Sequence, residues 1–144
     1  MKPQALLDIN VLLALVWAGH VHHARVVAWH REWMPKKWVL CPLSEAGFLR
    51  LSLNPAFVSG QATISILRET LRRLHAQRGC VRIREVPDPS DPRFDPVWRK
   101  VQGHQQVMDA MLLSIAIAAN IRLATLDEKM DGLADRNDRI IYIP

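Results

Sequence analysis

Apolar positions in the first forty residues alternate between short continuous runs and wider, helical spacing. Ala5–Leu7 is a short apolar run typical of a buried strand, and Val11–Trp17 fits a short helix. His22–Trp33 carries its apolar residues on one side, which predicts a second helix. Trp38–Leu40 is again typical of a strand. This part of the chain therefore predicts a strand, two helices and a second strand.

The remaining residues continue the alternation. Ser44 is a preferred N-cap residue and predicts a helix from there to about Leu53. The other predicted elements are an amphipathic helix over Ala62–Gln77, a strand over Val81–Val86, a helical turn over Pro96–Val101, a buried helix over Val107–Asn120, a strand over Arg122–Leu126, a short helix over Lys129–Leu133 and a strand over Ile140–Ile143. Strands that alternate with helices predict an α/β fold, in which a mostly parallel sheet has helices on both faces. With 144 residues and no internal repeat or linker, we expect one domain over residues 1–144.

Four acidic residues lie in apolar or tightly patterned surroundings: Asp8, Glu45, Asp109 and Asp127. Three of them follow predicted strands, and Asp109 lies in the first turn of the predicted buried helix. In open α/β sheets, ligands bind at the carboxyl ends of the strands. A carboxylate in apolar surroundings must be paired, hydrogen-bonded, protonated or metal-bound. If the four converge, they form a site for a hard divalent cation.

Each acid also has a purely structural explanation. Asp8 and Asp109 could act as N-caps of the helices that follow them. Glu45, in the first turn of a helix, would interact favourably with the helix dipole, and Asp127 could be a turn residue. These explanations treat the acids one at a time, whereas a metal site requires them to share one edge of the sheet.

Four segments carry a family resemblance, and they occur in the family's order. They are Leu6–Leu15 around Asp8, Ser44–Arg50 around Glu45, Val107–Leu112 around Asp109, and Leu123–Asp127. With these segments the chain resembles the PIN-domain ribonucleases, particularly the VapC-type toxins of bacterial toxin–antitoxin pairs. The resemblance implies a metal-dependent endoribonuclease that acts on RNA and is neutralised by a cognate antitoxin. The only two cysteines, Cys41 and Cys80, have no CxxC spacing, which suits the reducing cytoplasm.

The resemblance also implies roles for individual residues. Asp8, Glu45, Asp109 and Asp127 would be the acidic metal-binding set, and Asn10, Ser44 and Thr125 the polar residues that support it. Carboxylate oxygens suit Mg²⁺ or Mn²⁺, and Mg²⁺ keeps several waters, so not every acid needs to touch it. We expect Asp8 and Asp109 to be the principal ligands, and Glu45 and Asp127 to bind directly or through water. Many relatives have Ser or Thr after the first aspartate, whereas this chain has Ile9.

The charge balance supports an anionic partner. The formal net charge is +5, and a basic surface around acidic metal ligands suits a nuclease. The candidate phosphate-binding residues are Lys36, Lys37, Arg68, Arg72, Arg73, Arg99 and Lys100. Apolar and aromatic helices in the first half of the chain could bind an antitoxin or form a homodimer. We expect no membrane partner, because no apolar run reaches the roughly 20 residues needed to span a bilayer.

Two other functions are compatible with a carboxylate at a strand end. Asp8 could be the nucleophile of a phosphoryl-transfer domain, although Asp8-Ile9-Asn10 lacks a second acid. The chain could also be a catalytically silent binding module that keeps the fold. A separate metal site at His20, His22 and His23 is a further alternative, but no thiolate accompanies these histidines.

Overall fold

The computed structural model describes residues 1–33, 35–57 and 62–144. Its strands are β1 (Gln4–Leu7), β2 (Lys37–Leu40), β3 (Cys80–Arg82), β4 (Arg122–Thr125) and β5 (Ile140–Tyr142). Its helices are α1 (Ile9–Val16), α2 (His23–Trp33), α3 (Pro42–Ser52), α4 (Ile64–His75), α5 (Asp95–Trp98) and α6 (Val107–Ala119), and 3-10 turns cover Pro92–Phe94, His104–Gln106, Glu128–Gly132 and Asn137–Arg139.

The five strands form one sheet in the order β3-β2-β1-β4-β5, and every pairing is parallel. This arrangement confirms the predicted α/β fold. From β1 the chain proceeds outward through β2 to β3, and then returns to the other side of β1 for β4 and β5. The strand order therefore reverses between β1 and β4, which is where α/β sheets place their ligand sites.

Alternate residues of the central strands face two separate apolar cores. Leu7 packs in the core that α1 to α4 cover, together with Leu12 and Phe48. Leu6 faces the opposite core, where α6 contributes Leu112. Because both faces of the sheet are covered, its strands are almost continuously apolar, as expected of a parallel sheet. Within the described ranges, no helix has the length and apolar character to cross a membrane.

Two sequence-based expectations about element ends were wrong. Ser44 is not the N-cap of its helix: α3 begins at Pro42, after Cys41, because proline is favoured in the first turn, where its missing N–H is not needed. The strand expected over Val81–Val86 is only Cys80–Arg82. It ends early because its partner β2 ends at Leu40, where the chain turns into α3, and the Ile83 N–H still donates to the Leu40 carbonyl at 2.9 Å.

Candidate active site

Asp8 and Asp127 lie at the carboxyl ends of the two central strands. Asp8 directly follows β1, and its backbone N–H donates to the Ala124 carbonyl of β4 at 3.0 Å. Asp127 lies two residues beyond the end of β4. Because β1 and β4 are paired neighbours in register, the sheet holds these two aspartates at the same edge.

The hydroxyl of Thr125, the last residue of β4, links the two aspartates. It donates to Asp8 Oδ2 at 2.7 Å and accepts the backbone N–H of Asp127 at 3.0 Å. The other oxygen of Asp8, Oδ1, accepts the Ile9 N–H at 2.6 Å at the start of α1. Asp8 is only 5% exposed, and Thr125 is fully buried. The carboxylate is therefore held in one orientation by hydrogen bonds from two different elements.

Asp109 completes a group of three aspartates. It lies in the first turn of α6, where the helix dipole favours a negative charge. Gln106, not Asp109, occupies the N-cap position, so a capping role does not explain this acid. Asp109 and Asp127 both line a cleft of about 570 Å³, whose wall also includes residues 102–106.

The pKa values of these aspartates reflect burial and mutual repulsion. Burial raises the pKa of Asp8; the Thr125 and Ile9 hydrogen bonds oppose this effect, and the charge of Asp127 adds to it. Burial, followed by the charges of Asp8 and Asp127, raises the pKa of Asp109 to about 6. Raised pKa values at Asp8 and Asp109 fit a cation site in the absence of its ion, because a bound cation offsets both the burial and the repulsion.

Glu45 has a different environment. Its carboxylate Oε1 pairs with His75 Nε2, at the end of α4, and both side chains are largely buried. Burial, followed by the charge of Glu45, raises the pKa of the Cys80 thiol of β3 to about 11. The structure thus brings Asp8, Asp109 and Asp127 together and pairs the fourth predicted acid with a histidine.

The other predicted supporting residues, Ser44 and Asn10, differ in burial. Ser44 is fully buried, and its hydroxyl lies 3.1 Å from Cys41 Sγ. Asn10, in α1, is half-buried, and no group in the described ranges pairs with its buried Oδ1. The Ile9 side chain packs against Gly47 of α3 so closely that a Cβ there would lie 2.8 Å from Ile9 Cγ1. A small residue at 47 is therefore matched to a bulky one at 9.

The basic candidates fall into three places. Lys36 lies over the Trp33 ring, 4.3 Å from its centroid, and Lys37 begins β2, so both are at the amino ends of the strands, opposite the aspartates. Arg68, Arg72 and Arg73 are on the exposed side of α4, where the last two pair with Glu69 at 3.4 and 3.6 Å.

The remaining two basic candidates follow α5. Arg99 lies 3.8 Å from Asp95, and Lys100 Nζ donates to the Ala134 carbonyl at 2.8 Å. Both side chains are exposed, and each already contacts a neighbouring group of the protein. The cleft beside the aspartates has a basic residue of its own, Lys129, which is not among the candidates named from the sequence.

Two features of the site were missed from the sequence. His75 pairs with Glu45 across 30 residues, and no local pattern links two helices at that separation. Lys129 is placed by Asp127, whose Oδ1 accepts the Lys129 backbone N–H at 2.9 Å to start the 3-10 turn. A strand followed by Asp-x-Lys is an Asx-turn signal that could have pointed to this lysine.

The three aspartates have the right chemistry to bind a divalent ion, but they do not supply all the ligands of its coordination sphere. In the ranges that the structure describes, no three His, Cys, Asp or Glu side chains are close enough together to hold a metal ion by themselves. The same holds for the cluster of His20, His22 and His23, in which the His23 ring is hydrogen-bonded to the Ala14 carbonyl. Mg²⁺ keeps several waters and needs only one or two carboxylates, so the aspartates provide enough ligands for it.

Replacing Thr125 with valine tests the link between the aspartates. The change keeps the shape of the side chain and removes the hydroxyl, which leaves Asp8 Oδ2 and the Asp127 N–H without their partner. We expect the free energy of unfolding in urea to fall by about 1 to 3 kcal/mol. Thr125→Ser keeps the hydroxyl and removes one methyl, so its loss should be about 1 kcal/mol or less. Equal losses for the two variants would contradict the proposed role of the hydroxyl.

The chain is similar to known proteins over nearly its whole length. The family model described as PIN domain matches residues 5–136. Ribonuclease VapC38 of Mycobacterium tuberculosis is 38% identical over 135 residues, which cover 94% of this chain and 93% of that protein. Ribonuclease VapC39 of the same species is 32% identical, with 85% and 88% covered.

A solved structure gives the same fold. FitAB bound to an IR36 DNA fragment superposes with a TM-score of 0.63 over 96% of this chain and 94% of that one, at 17% identity. At this identity the likeness concerns the fold alone. The family model spans all three aspartates, and the VapC relatives match most of the chain. The chain belongs to the PIN-domain family.

Proposed function

We propose that this protein is a metal-dependent endoribonuclease that cleaves RNA phosphodiesters at the edge formed by Asp8, Asp109 and Asp127. The observation that carries this proposal is the convergence of three aspartates: the Thr125 hydroxyl links Asp8 to the backbone of Asp127, and Asp109 lies close enough that, after burial, their charges help raise its pKa to about 6. The two relatives described above are named ribonucleases and match most of this chain. The carboxylate site and the named relatives together favour phosphodiester hydrolysis over other functions of a carboxylate site.

Asp8 and Asp109 would hold a Mg²⁺ or Mn²⁺ ion, with Asp127 binding directly or through water. Such an ion supplies positive charge that draws a phosphodiester to the carboxylates and makes a water easier to deprotonate. Thr125 keeps Asp8 in a fixed orientation and anchors the backbone of Asp127. Because His75 already holds Glu45, we propose that Glu45 acts at longer range, through water or on an approaching nucleophile.

The partners follow from the resemblance to VapC-type toxins. We propose a cytoplasmic toxin whose activity a cognate antitoxin blocks, and a homodimer as its assembled form. Exposed apolar side chains at the end of α3 and the start of α4, Leu53, Phe57, Ile64 and Ile66, are suited to such contacts. The basic face of α4, with Arg68, Arg72 and Arg73, would attract the RNA or an acidic partner segment.

The alternative in which Asp8 is a phosphoryl-accepting nucleophile is less favoured by the geometry. An attacking carboxylate oxygen must be free to approach phosphorus in line. Both oxygens of Asp8 accept hydrogen bonds, and the residue is 5% exposed. An orienting and metal-binding role uses such a fixed carboxylate, whereas nucleophilic attack would first have to break these bonds.

The proposal is tested with the purified chain, free of any partner, and end-labelled single-stranded RNA. We expect cleavage in Mg²⁺ or Mn²⁺ and none in EDTA, with activity regained when the metal is restored. Single-stranded and duplex DNA of the same sequence serve as parallel substrates and should be cleaved much more slowly. Cleavage that persists in EDTA, or that occurs only with DNA, would overturn the proposal. A stable phosphate label on Asp8 would support the alternative instead.

A further inference from the structure

The cleft beside the aspartates is lined partly by residues that do not belong to the proposed metal site. Its volume of about 570 Å³ lies within the range of about 300 to 1,000 Å³ that small-ligand sites occupy. Asp109 and Asp127 line it together with the segment from Gln102 to Gln106, which precedes α6. Leu133 adds an apolar side chain to the lining and is itself buried. The cleft is therefore ligand-sized and polar, and it adjoins the proposed reaction centre.

The segment Gln102–Gln106 of the cleft lining is held in shape by its own hydrogen bonds. Gln106 Oε1 accepts the Gln102 N–H at 2.7 Å, and the Gln106 N–H donates to the Gly103 carbonyl at 3.1 Å. These bonds commit Gln106 to the structure of the loop. His104 and Gln105 are exposed and also line the cleft, so a ring and an amide are available to a ligand.

The chemistry of the walls selects the class of ligand. Imidazole rings stack on unpaired bases, and amide groups hydrogen-bond to base edges. Lys129, which also lines the cleft, supplies a positive charge suited to a phosphate. Apolar lining is scarce, which disfavours a hydrophobic ligand, and the carboxylates disfavour a simple organic acid. A nucleotide combines a base for the ring and amide with a phosphate for the lysine.

We propose that this cleft binds one unpaired nucleotide of the RNA next to the cleaved phosphodiester, with Lys129 on its phosphate and His104 and Gln105 reading its base. The assignment rests on the proposed ribonuclease function and adds to it the residues that determine sequence preference. Residues 102–106 lie outside the four segments that carry the family resemblance, so that resemblance assigns them no role.

Gly103 allows the cleft to be blocked without disturbing the fold. It lines the cleft, and its backbone is extended, with φ −163°. A Cβ added there meets nothing within 4 Å, so Gly103→Phe can place a ring in the cleft. Gly19, in the connection between α1 and α2, has the same open surroundings and does not line this cleft. Gly19→Phe is therefore a matched control, and circular dichroism melting checks that both variants fold.

The measurement is fluorescence anisotropy of labelled eight-nucleotide RNAs of A, C or U in EDTA, where binding is separated from cleavage. We expect Gly103→Phe to weaken binding at least tenfold and Gly19→Phe to leave it unchanged.

His104→Ala and Gln105→Ala should change the order of affinity among the three RNAs. Lys129→Gln should weaken all three about equally and lower the slope of log Kd against log salt by about 0.7. An eight-base-pair RNA duplex should bind more weakly than the single strands.

The outcomes separate this inference from the ribonuclease proposal. Wild-type affinity in Gly103→Phe, or an unchanged order of affinity in both His104→Ala and Gln105→Ala, would overturn the nucleotide site even if the protein cleaves RNA. The expected binding pattern without any cleavage in Mg²⁺ or Mn²⁺ would support the site and overturn the ribonuclease proposal. If Gly103→Phe does not fold, the order of affinity in the two alanine variants decides the question.

Discussion

Asp109→Asn should lower the rate of RNA cleavage by at least about 100-fold, which corresponds to about 2.7 kcal/mol of transition-state stabilisation. The amide keeps the shape of the side chain but loses the negative charge that a divalent ion needs. Asp109 is half-buried, and its carboxylate accepts no hydrogen bond from the residues that the structure describes. The expected loss is therefore one of metal and substrate binding, not of folding.

The same substitution should leave stability unchanged or raise it. Burial and repulsion raise the pKa of Asp109 to about 6, so the charged form is disfavoured in the folded protein. Removing that charge at pH 7.5 should raise the free energy of unfolding by on the order of 1 kcal/mol. This value allows for the partial solvation of the group, which weakens the effect of its charge. This corresponds to a rise of about 2 to 4 °C in the melting temperature. Asp88→Asn, in an exposed loop, is the control that should change neither quantity. Full cleavage activity in Asp109→Asn would contradict the assigned role.

Divalent ions should stabilise the wild-type protein, and more strongly as pH rises. Without an ion, the raised pKa of Asp109 contributes stability that is present below about 3.8 and is lost as the pH rises through about 6. Above pH 6 the ionised carboxylates repel each other, and a bound cation reverses this repulsion. Tenfold excess of Mn²⁺ over its Kd should add about 1.4 kcal/mol, or about 3 to 6 °C, at pH 7.5. At pH 5 the increment should be smaller.

Asp8→Asn tests how much Asp8 contributes to the stabilisation of the protein by Mn²⁺. The variant should melt at nearly the same temperature with or without Mn²⁺ at pH 7.5, because a principal ligand is missing. The single amide oxygen can keep the hydrogen bond from Thr125 or the one from Ile9, but not both, so the melting temperature of the variant without Mn²⁺ is compared with that of the wild type to measure the cost of the lost bond. An Mn²⁺ increment in Asp8→Asn equal to that of the wild type would exclude Asp8 as a ligand.

The fold could be predicted because its signals are local. Short apolar runs such as Ala5–Leu7 mark buried strands, and the alternation of strands with helices implies parallel pairing. The start of α3 was misplaced at Ser44, although a local rule for Pro42 would have corrected it. The extent of β3 was set by the end of its partner β2, and this depends on a pairing that lies more than 40 residues away in sequence.

The site was less accessible to sequence reasoning because its contacts are long-range. Thr125 reaches Asp8 across 117 residues, and only the pairing of β1 with β4 creates that contact. Four acids at one edge were expected, yet the structure brings three together and pairs Glu45 with His75. Helix-to-helix packing decides such a pair, and no spacing rule within α3 or α4 encodes it. The raised pKa of Asp109 likewise depends on neighbours that the tertiary structure supplies.

Electron paramagnetic resonance of Mn²⁺ tests most directly whether the three aspartates form one metal site. Free Mn²⁺ is measured during titration of the wild-type protein and of Asp8→Asn, Asp109→Asn and Glu45→Gln at pH 7.5. We predict saturable binding in the wild type, its loss in both aspartate variants, and a smaller weakening in Glu45→Gln, because His75 already holds that carboxylate. Binding of Mn²⁺ by Asp8→Asn and Asp109→Asn with wild-type affinity would contradict the account.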